Sequence, residues 1–417
     1  MDKILIRGGK PLHGSVHVRG AKNATLPLMA ASLLAEEPVV LHNVPCLHDV
    51  FSMDKILTGM GAKIDFTGRY MTVDAAGLGE PVAPYDLVRK MRASFFVLGP
   101  LLGRCGRARV SLPGGCAIGA RPVDIHLKGL EALGAKICID EGYVEAEGRL
   151  RGGDFALDFP SVGATENLMM AACRAEGVTR LANVAREPEI ADLARLLNAL
   201  GAQISGAGTD LITIVGVDSL GGAEHVVVSD RIEAGTFLIA GVATGGDVTV
   251  VNADGDHLPS LLEKLREGGA EVEVRGSRIR AAAPDGLKAT DITTAPFPGF
   301  ATDLQAQMMA ALTLGRGVSR IRENVFENRF MQAAELLRMG ADIDLDGNTA
   351  IVRGVEGLSG APVMASDLRA SAALVIAGLM AGKGETAIAR VYHIDRGYER
   401  IEERLAALGA DIERVRT

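Results

Sequence analysis

The sequence predicts an α/β fold made of six copies of one βαβαββ unit. A Gly-Ala pair closes a Leu-rich helical stretch at Gly61, Gly134, Gly201, Gly340 and Gly409, and Gly268-Gly269-Ala270 supplies the remaining copy. These glycines recur every 67 to 73 residues, a drift small enough to mark one supersecondary unit repeated along the whole chain. An alternating, strand-like run follows each pair. Any residue that departs from the pattern can therefore be weighed against five counterparts.

Unit one reads as strand 15–18, helix 23–35, strand 39–43, helix 50–60, strand 62–66 and hairpin strand 70–74. The helices are rich in Ala and Leu at helical spacing, and the strands alternate or form short β-branched runs. The middle strand recurs at 108–112, 179–183, 247–252, 319–322 and 386–390. The last unit stops at 411–416, one strand short of its siblings. The segment KILIRG (3–8) resembles the hairpin strands LITIVG (211–216) and TAIVRG (349–354), so the amino terminus is expected to close the sixth unit. The expected domain map is then 22–228 for one domain and 1–21 with 229–417 for the other. Two chain crossings between similar lobes suit a hinge and a closing cleft.

Composition narrows the function classes. Residues 1–11 hold only a short apolar run at 4–6, and the longest weakly polar stretch, 370–382, is too short to span a bilayer. Five cysteines with no Cys-x-x-Cys pair and no zinc-like His spacing fit a reducing compartment, with no disulfide framework and no metal. The chain is thus expected to be a soluble cytoplasmic protein. A net charge of -8 and 4% aromatics argue against a nucleic-acid platform, which needs basic grooves and stacking rings. No cofactor, membrane association or obligate protein partner is indicated.

In a unit whose first two strands are parallel, the start of the first helix and the loop after the middle strand share one edge, where helix N-termini favour anions. The copies diverge there. At the helix starts sit Lys22-Asn23, Arg92, Ser161 with 162–165, Arg231, Thr302-Asp303, and Asp367 with Arg369; after the middle strands come 43–45, 112–124, Arg186-Glu187, 252–257, 325–329 and 392–400. Lys22, Arg92, Arg121, Arg329, Arg369 and Arg396 bring cations to one edge of an acidic protein. A single charged loop residue is ordinarily just solvated, but a bare scaffold has no need of six at equivalent positions.

The loop LPGGCAIGARPVD (112–124) is the outlier, because its counterparts run straight into a helix. Its glycines suit a mobile lid. Arg121 favours a thiolate at Cys116. Cys46, Cys105, Cys138 and Cys173 read instead as inert core fillers. Other signatures fail: four residues rather than five separate Cys116 from Arg121, so the phosphatase cradle is absent, and 378–384 has the wrong spacing for a P-loop. No His-Glu-x-x-His or nucleophile elbow occurs, and Asp254-Gly-Asp256 lacks further acidic ligands and reads as a turn.

The motifs GAKNATLP (20–27), APYDLVRKMRAS (83–94), SLPGGCAIGARPVD (111–124), SVGAT (161–165), AREPEI (185–190), DRIEAGTF (230–237), VFENRFM (325–331), DLRAS (367–371) and YHIDRGYER (392–400) resemble the UDP-N-acetylglucosamine 1-carboxyvinyltransferases of the enolpyruvyl transferase family. The resemblance covers essentially the whole chain. The cysteine loop is specific to this group; the related 3-phosphoshikimate 1-carboxyvinyltransferases share the six-unit fold without it.

This resemblance implies two inside-out α/β barrel-like domains of three units each, closing on phosphoenolpyruvate and UDP-N-acetylglucosamine. It implies transfer of the enolpyruvyl group to the sugar 3-hydroxyl with release of phosphate, the first committed step of peptidoglycan synthesis. Cys116 corresponds to the family's proton donor, able also to attack phosphoenolpyruvate and open to alkylation by the epoxide fosfomycin. Lys22, Arg121 and Arg396, with Asn23 beside them, correspond to the phosphate and carboxylate clamp, and Asp303 to the residue that holds and deprotonates the sugar hydroxyl. Arg92, Arg121, Pro122, Val123, Asp124, Ile125, Ser161, Val162, Gly163, Val325 and Phe326 correspond to UDP-sugar contacts, with Arg329 on the same cationic edge; Asp367 and Arg369 organise the site. One departure is Ala301, where the family's Phe-Pro-Thr-Asp pattern has proline; a slight loosening of Asp303 is expected. Two rival readings stand beside this one: a sister enzyme for another acceptor such as shikimate 3-phosphate, and a non-catalytic scaffold, against which Cys116, Asp303 and Lys22 speak.

Overall fold

A computed structural model of the chain describes residues 2–88, 91–112 and 123–416. The described residues form two bodies, one drawn from 2–19 with 229–416, the other from 20–228. They contain six four-stranded sheets. In unit three, for example, Asp154–Ala156 lies parallel to Val178–Ala182, which pairs antiparallel with Leu211–Val215, and Gln203–Ser205 completes the hairpin. In the last sheet Lys3–Arg7 lies between Thr386–Ala389 and Asp411–Val415, antiparallel to both.

The Gly-Ala pairs are helix stops. Gly61, Gly134, Gly201, Gly269, Gly340 and Gly409 all take φ between 90° and 109°, a region L side chains rarely adopt. In every copy the following alanine N–H reaches back 2.9–3.1 Å to a leucine carbonyl five residues earlier: Leu57, Leu130, Leu197, Leu265, Leu336 and Leu405. This is the six-to-one bond of a Schellman cap, which satisfies a carbonyl the helix end would otherwise leave open.

Units one and four depart from the sequence reading. The predicted first strand of unit one, observed as His13–His17, does not pair with Val39–His42 but runs parallel to Asp247–Val251 in the sheet of unit four. Ala223–Val226 takes its place beside Val39–His42. The chain passes from one body to the other after Arg19 and again after Val228, so each of these strands pairs within the body it starts in. The positions are equivalent nonetheless. Asn43, Asn183 and Asn252 each follow a middle strand in the left-handed region, with φ of 60°, 52° and 62°. Their side-chain amides donate to the carbonyls of Val227, Leu157 and Val18, just past the parallel neighbour. Asparagine tolerates this φ better than other side chains, and so ends the strand at residue 42 rather than 43.

Helices lie inside and sheets outside. We number the central helices α1 (Lys22–Ala31), α2 (Leu98–Cys105), α3 (Val162–Ala172), α4 (Arg231–Ala243), α5 (Thr302–Leu312) and α6 (Leu368–Met380). In α4, α5 and α6 nearly every residue is buried, polar ones included, as expected of helices packed on all sides. The strands bury one face and expose the other. Each fully buried Leu, Ile or Met here contributes about 1.5–3 kcal/mol. Helix 23–35 is in fact α1 followed by a 3-10 turn over Ser32–Leu34, and helix 50–60 is His48–Gly59.

Of the cysteines expected in the core, only Cys173 is buried, at the C-terminal cap of α3, while Cys46, Cys105 and Cys138 are exposed. Their positions explain this: Cys46 lies in the loop after Val39–His42, Cys105 ends α2, and Cys138 sits on the mostly exposed strand Lys136–Asp140. The Asp254-Gly-Asp256 segment is a short 3-10 turn, with the Asp254 carboxylate accepting from Asp256 N at 2.9 Å.

Candidate active site

Asp303 lies in the first turn of α5, where a carboxylate suits the positive end of the helix. Its Oδ1 accepts from Arg329 Nη2, and its Oδ2 from Arg369 Nη2 at 2.7 Å. Both arginine side chains are buried, 5% and 7% exposed, whereas Asp303 is 23% exposed. A carboxylate offers about four lone-pair sites, so two guanidinium bonds do not saturate this group. Two of the six edge cations are thus committed to Asp303. Ala301 precedes the helix with φ -64°, the value a proline ring would impose, so the local backbone is the same without it.

A polar network joins α4, α5 and α6 behind Asp303. Arg369 Nη1 reaches Tyr398 Oη at 3.3 Å; that oxygen lies 2.9 Å from Thr236 Oγ1, and Gln307 Nε2 donates to both. Burial works against the Arg369 charge, but Asp303 outweighs it and raises the guanidinium pKa above its usual value. Burial also raises Tyr398 against the opposing pull of Arg369, so it remains a neutral phenol at pH 7.

Asp367 caps α6, its carboxylate accepting from Arg369 N and Ala370 N at 2.9 and 3.1 Å. Arg396 ends the 3-10 helix Val391–Arg396. Within that helix, burial first, then Arg396 and Arg390, lower the His393 pKa against the raising influence of Asp367. Val325 and Phe326 follow strand Val318–Arg322, and their N–H groups donate to the Glu323 carboxylate. Glu323 was not singled out by sequence reasoning; its signal is a charged residue where three sibling units have asparagine.

The other body holds the remaining described candidates. Lys22 opens α1, where a cation opposes the helix dipole, and lies 3.3 Å from Asp49. Asn23 follows it, and Arg92 opens the 3-10 helix Arg92–Val97. Ser161 caps α3, and Val162 and Gly163 form its first turn. A Cβ at Gly163 would come within 3.2 Å of the Phe96 ring and 3.4 Å of the His126 ring, so the backbone packs tightly against both rings there. Val123 precedes the helix Asp124–Ala132, which carries Ile125. Cys116, Arg121 and Pro122 lie outside the described residues.

Glu166, on α3, is a feature sequence reasoning missed. It is fully buried, and neither carboxyl oxygen has a hydrogen-bond partner among the described residues. Burial, then Glu189 and Glu187, raise its pKa well above the usual carboxyl range. With a folded pKa above the unfolded one, the contribution is fully present below about pH 4.3 and is lost as pH rises toward the folded value. Glu166→Gln should therefore gain stability over wild type with rising pH, by up to about 1.4 kcal/mol per pH unit. Urea midpoints measured from pH 4 to 9 check this, and parallel curves for the two proteins would refute it.

Among the described residues no helix is long and apolar enough to cross a membrane, and no group of three or more His, Cys, Asp or Glu could hold a metal ion.

The family model described as EPSP synthase (3-phosphoshikimate 1-carboxyvinyltransferase) matches residues 6–405. The UDP-N-acetylglucosamine 1-carboxyvinyltransferase of Magnetococcus marinus is 56% identical over 418 residues, covering 100% of both chains. That of Myxococcus xanthus is also 56% identical, over 99% of each. Among solved structures, the enolpyruvyl transferase NikO from Streptomyces tendae superimposes with a TM-score of 0.90 at 27% identity, covering 99% of both chains. EPSP synthase from Acinetobacter baumannii, at TM-score 0.75 and 19% identity over 100% of both chains, shares the fold. A family match over nearly the whole chain and full-length identity above one half establish that this chain belongs to the enolpyruvyl (carboxyvinyl) transferase family, with the UDP-N-acetylglucosamine 1-carboxyvinyltransferases.

Proposed function

We propose that the protein transfers the enolpyruvyl group of phosphoenolpyruvate to the 3-hydroxyl of UDP-N-acetylglucosamine, releasing phosphate, as the first committed step of peptidoglycan synthesis in the cytoplasm. The observation that carries the choice of acceptor is identity. Full-length relatives named for this acceptor are 54–56% identical, against 19% for a solved EPSP synthase.

The roles follow the chemistry. In the addition step Cys116 gives a proton to the methylene carbon while the sugar oxygen bonds to C2, its own proton passing to Asp303. In the elimination step the new methyl group returns a proton to the Cys116 thiolate, the enol double bond re-forms, and the C–O bond to phosphate breaks, the proton taken up by Asp303 leaving with the phosphate. Both steps are redox-neutral. Lys22, Arg121 and Arg396, with Asn23, hold the phosphate and carboxylate and stabilise charge as the phosphate leaves. Arg92, Arg121, Pro122, Val123, Asp124, Ile125, Ser161, Val162, Gly163, Val325 and Phe326 face the UDP-sugar. Arg329, Arg369 and Asp367 act by organisation, the first two through the Asp303 ion pairs described above. Residues 22–228 form one domain of this enzyme and 1–21 with 229–417 the other.

Phosphate release from phosphoenolpyruvate, with UDP-N-acetylglucosamine and with shikimate 3-phosphate as acceptors, tests the reading. Release with the UDP-sugar alone is expected. Release with shikimate 3-phosphate alone would assign the chain to a different acceptor, and release with neither, from folded protein, would refute the chemistry.

A further inference from the structure

We infer that Glu323 is a positioning residue for sugar-nucleotide binding: its buried carboxylate fixes the loop 324–326 and ties it to the start of α5, next to Asp303. The inference rests on the function proposed above, in which Val325 and Phe326 face the UDP-sugar.

The repeat makes the departure visible. In units one, three and four the middle strand ends in a left-handed asparagine whose amide donates to the carbonyl of the residue just past the parallel strand. That residue is recognisable by its own N–H, which bonds to the last carbonyl of the middle strand: Val227 to His42, Leu157 to Ala182, Val18 to Val251. In unit five the equivalent bond runs from Thr294 N to Arg322 O at 2.9 Å, and the position that holds asparagine elsewhere is Glu323. The clasp is reversed, with an acceptor in place of a donor.

What the reversed clasp holds is the loop. Glu323 Oε1 accepts from Thr294 Oγ1 at 2.7 Å, Val325 N at 2.8 Å and Phe326 N at 3.2 Å. The Thr294 hydroxyl in turn accepts from Asn324 N at 2.9 Å, so three successive backbone N–H groups are fixed. Glu323 Oε2 accepts from Thr302 Oγ1 at 2.8 Å. The side chain is 3% exposed. Ending the strand does not require this, since the sibling units do so with one amide bond. Four donors on one buried carboxylate, two of them loop N–H groups and one adjoining Asp303, instead hold a surface in register with a reacting group.

The two oxygens predict how substitutions differ. Glutamine keeps a carbonyl oxygen for the three donors on Oε1, and its amide can donate to the Thr302 hydroxyl; alanine removes every contact. In the full-length enzyme, Glu323→Ala should raise KM for UDP-N-acetylglucosamine at least tenfold with KM for phosphoenolpyruvate within twofold, and Glu323→Gln should stay within threefold of wild type in both. Hydrogen exchange at 324–326 should quicken at least tenfold in Glu323→Ala without substrate. This readout needs no acceptor, so a failed pin is distinguishable from a wrong acceptor. If Glu323→Ala does not fold, Thr294→Val, which at constant shape removes one donor to Glu323 and the acceptor of Asn324 N, should raise the sugar-nucleotide KM at least threefold. An unchanged sugar-nucleotide KM, a parallel rise in both KM values, or a Glu323→Gln as impaired as Glu323→Ala would overturn the inference.

Discussion

Asp303→Asn is expected to lower kcat for phosphate release by about 10²–10⁴-fold, the range for losing a positioned acid or base. The amide retains the shape but not the charge, and it cannot accept a proton from the sugar hydroxyl. It also offers only one oxygen to two buried guanidiniums, so either Arg329 or Arg369 loses its acceptor. Stability should therefore fall as well, and removing both acceptors with Asp303→Ala should cost about 3–5 kcal/mol, the usual penalty for a buried charge left unpaired. Asparagine is the cleaner probe. Steady-state phosphate release beside a melting curve separates the two effects, and an Asp303→Asn enzyme retaining kcat within threefold of wild type would remove Asp303 from the chemistry.

Fosfomycin is expected to add its mass to Cys116 and abolish turnover, whereas Cys116→Asp should remain active and resist the drug. Cys116→Ser should lose at least about 10²-fold in kcat, because a hydroxyl is a poor proton donor at neutral pH. The physical basis is reactivity of the thiolate, which Arg121 favours and burial opposes. Two other thiols illustrate the opposing case. Burial pushes Cys173 up to about 12, and at Cys105, an exposed residue, partial desolvation of the thiol still outweighs Arg104 and Arg107 and raises its pKa. Neither should compete at pH 7. Peptide mass spectrometry decides: an adduct on the peptide bearing Cys46 or Cys138, or no adduct on that bearing Cys116, would contradict a uniquely activated Cys116.

The repeat was legible because a Schellman cap demands glycine at one backbone position, and the six glycines print that demand at regular spacing. The exchange of His13–His17 and Ala223–Val226 was not, since a short parallel strand reads the same whichever sheet receives it. Asp303 was legible by residue type and helix position. Its arrangement was not: Arg329 and Arg369 come from 26 and 66 residues away, and no periodicity links them to it. Glu323 was hidden for a related reason, because a charged residue after a strand ordinarily reads as solvated. The exposed Cys46, Cys105 and Cys138 show the converse limit, as an apolar residue type does not specify which side of a strand or helix end it occupies.

The placement of Lys3–Arg7 also sets an order of events during biosynthesis. It leaves the ribosome well before its sheet neighbours, Thr386–Ala389 and Asp411–Val415. At about 5–20 residues per second, translation takes roughly 20–80 s to deliver them. Gly20 to Val228 can condense meanwhile, whereas the waiting strand keeps both edges open, a template for wrong partners. That sheet is thus completed by inserting an earlier-made strand between two made much later, and a nascent chain has to keep it unpaired for as long as the intervening residues take to make.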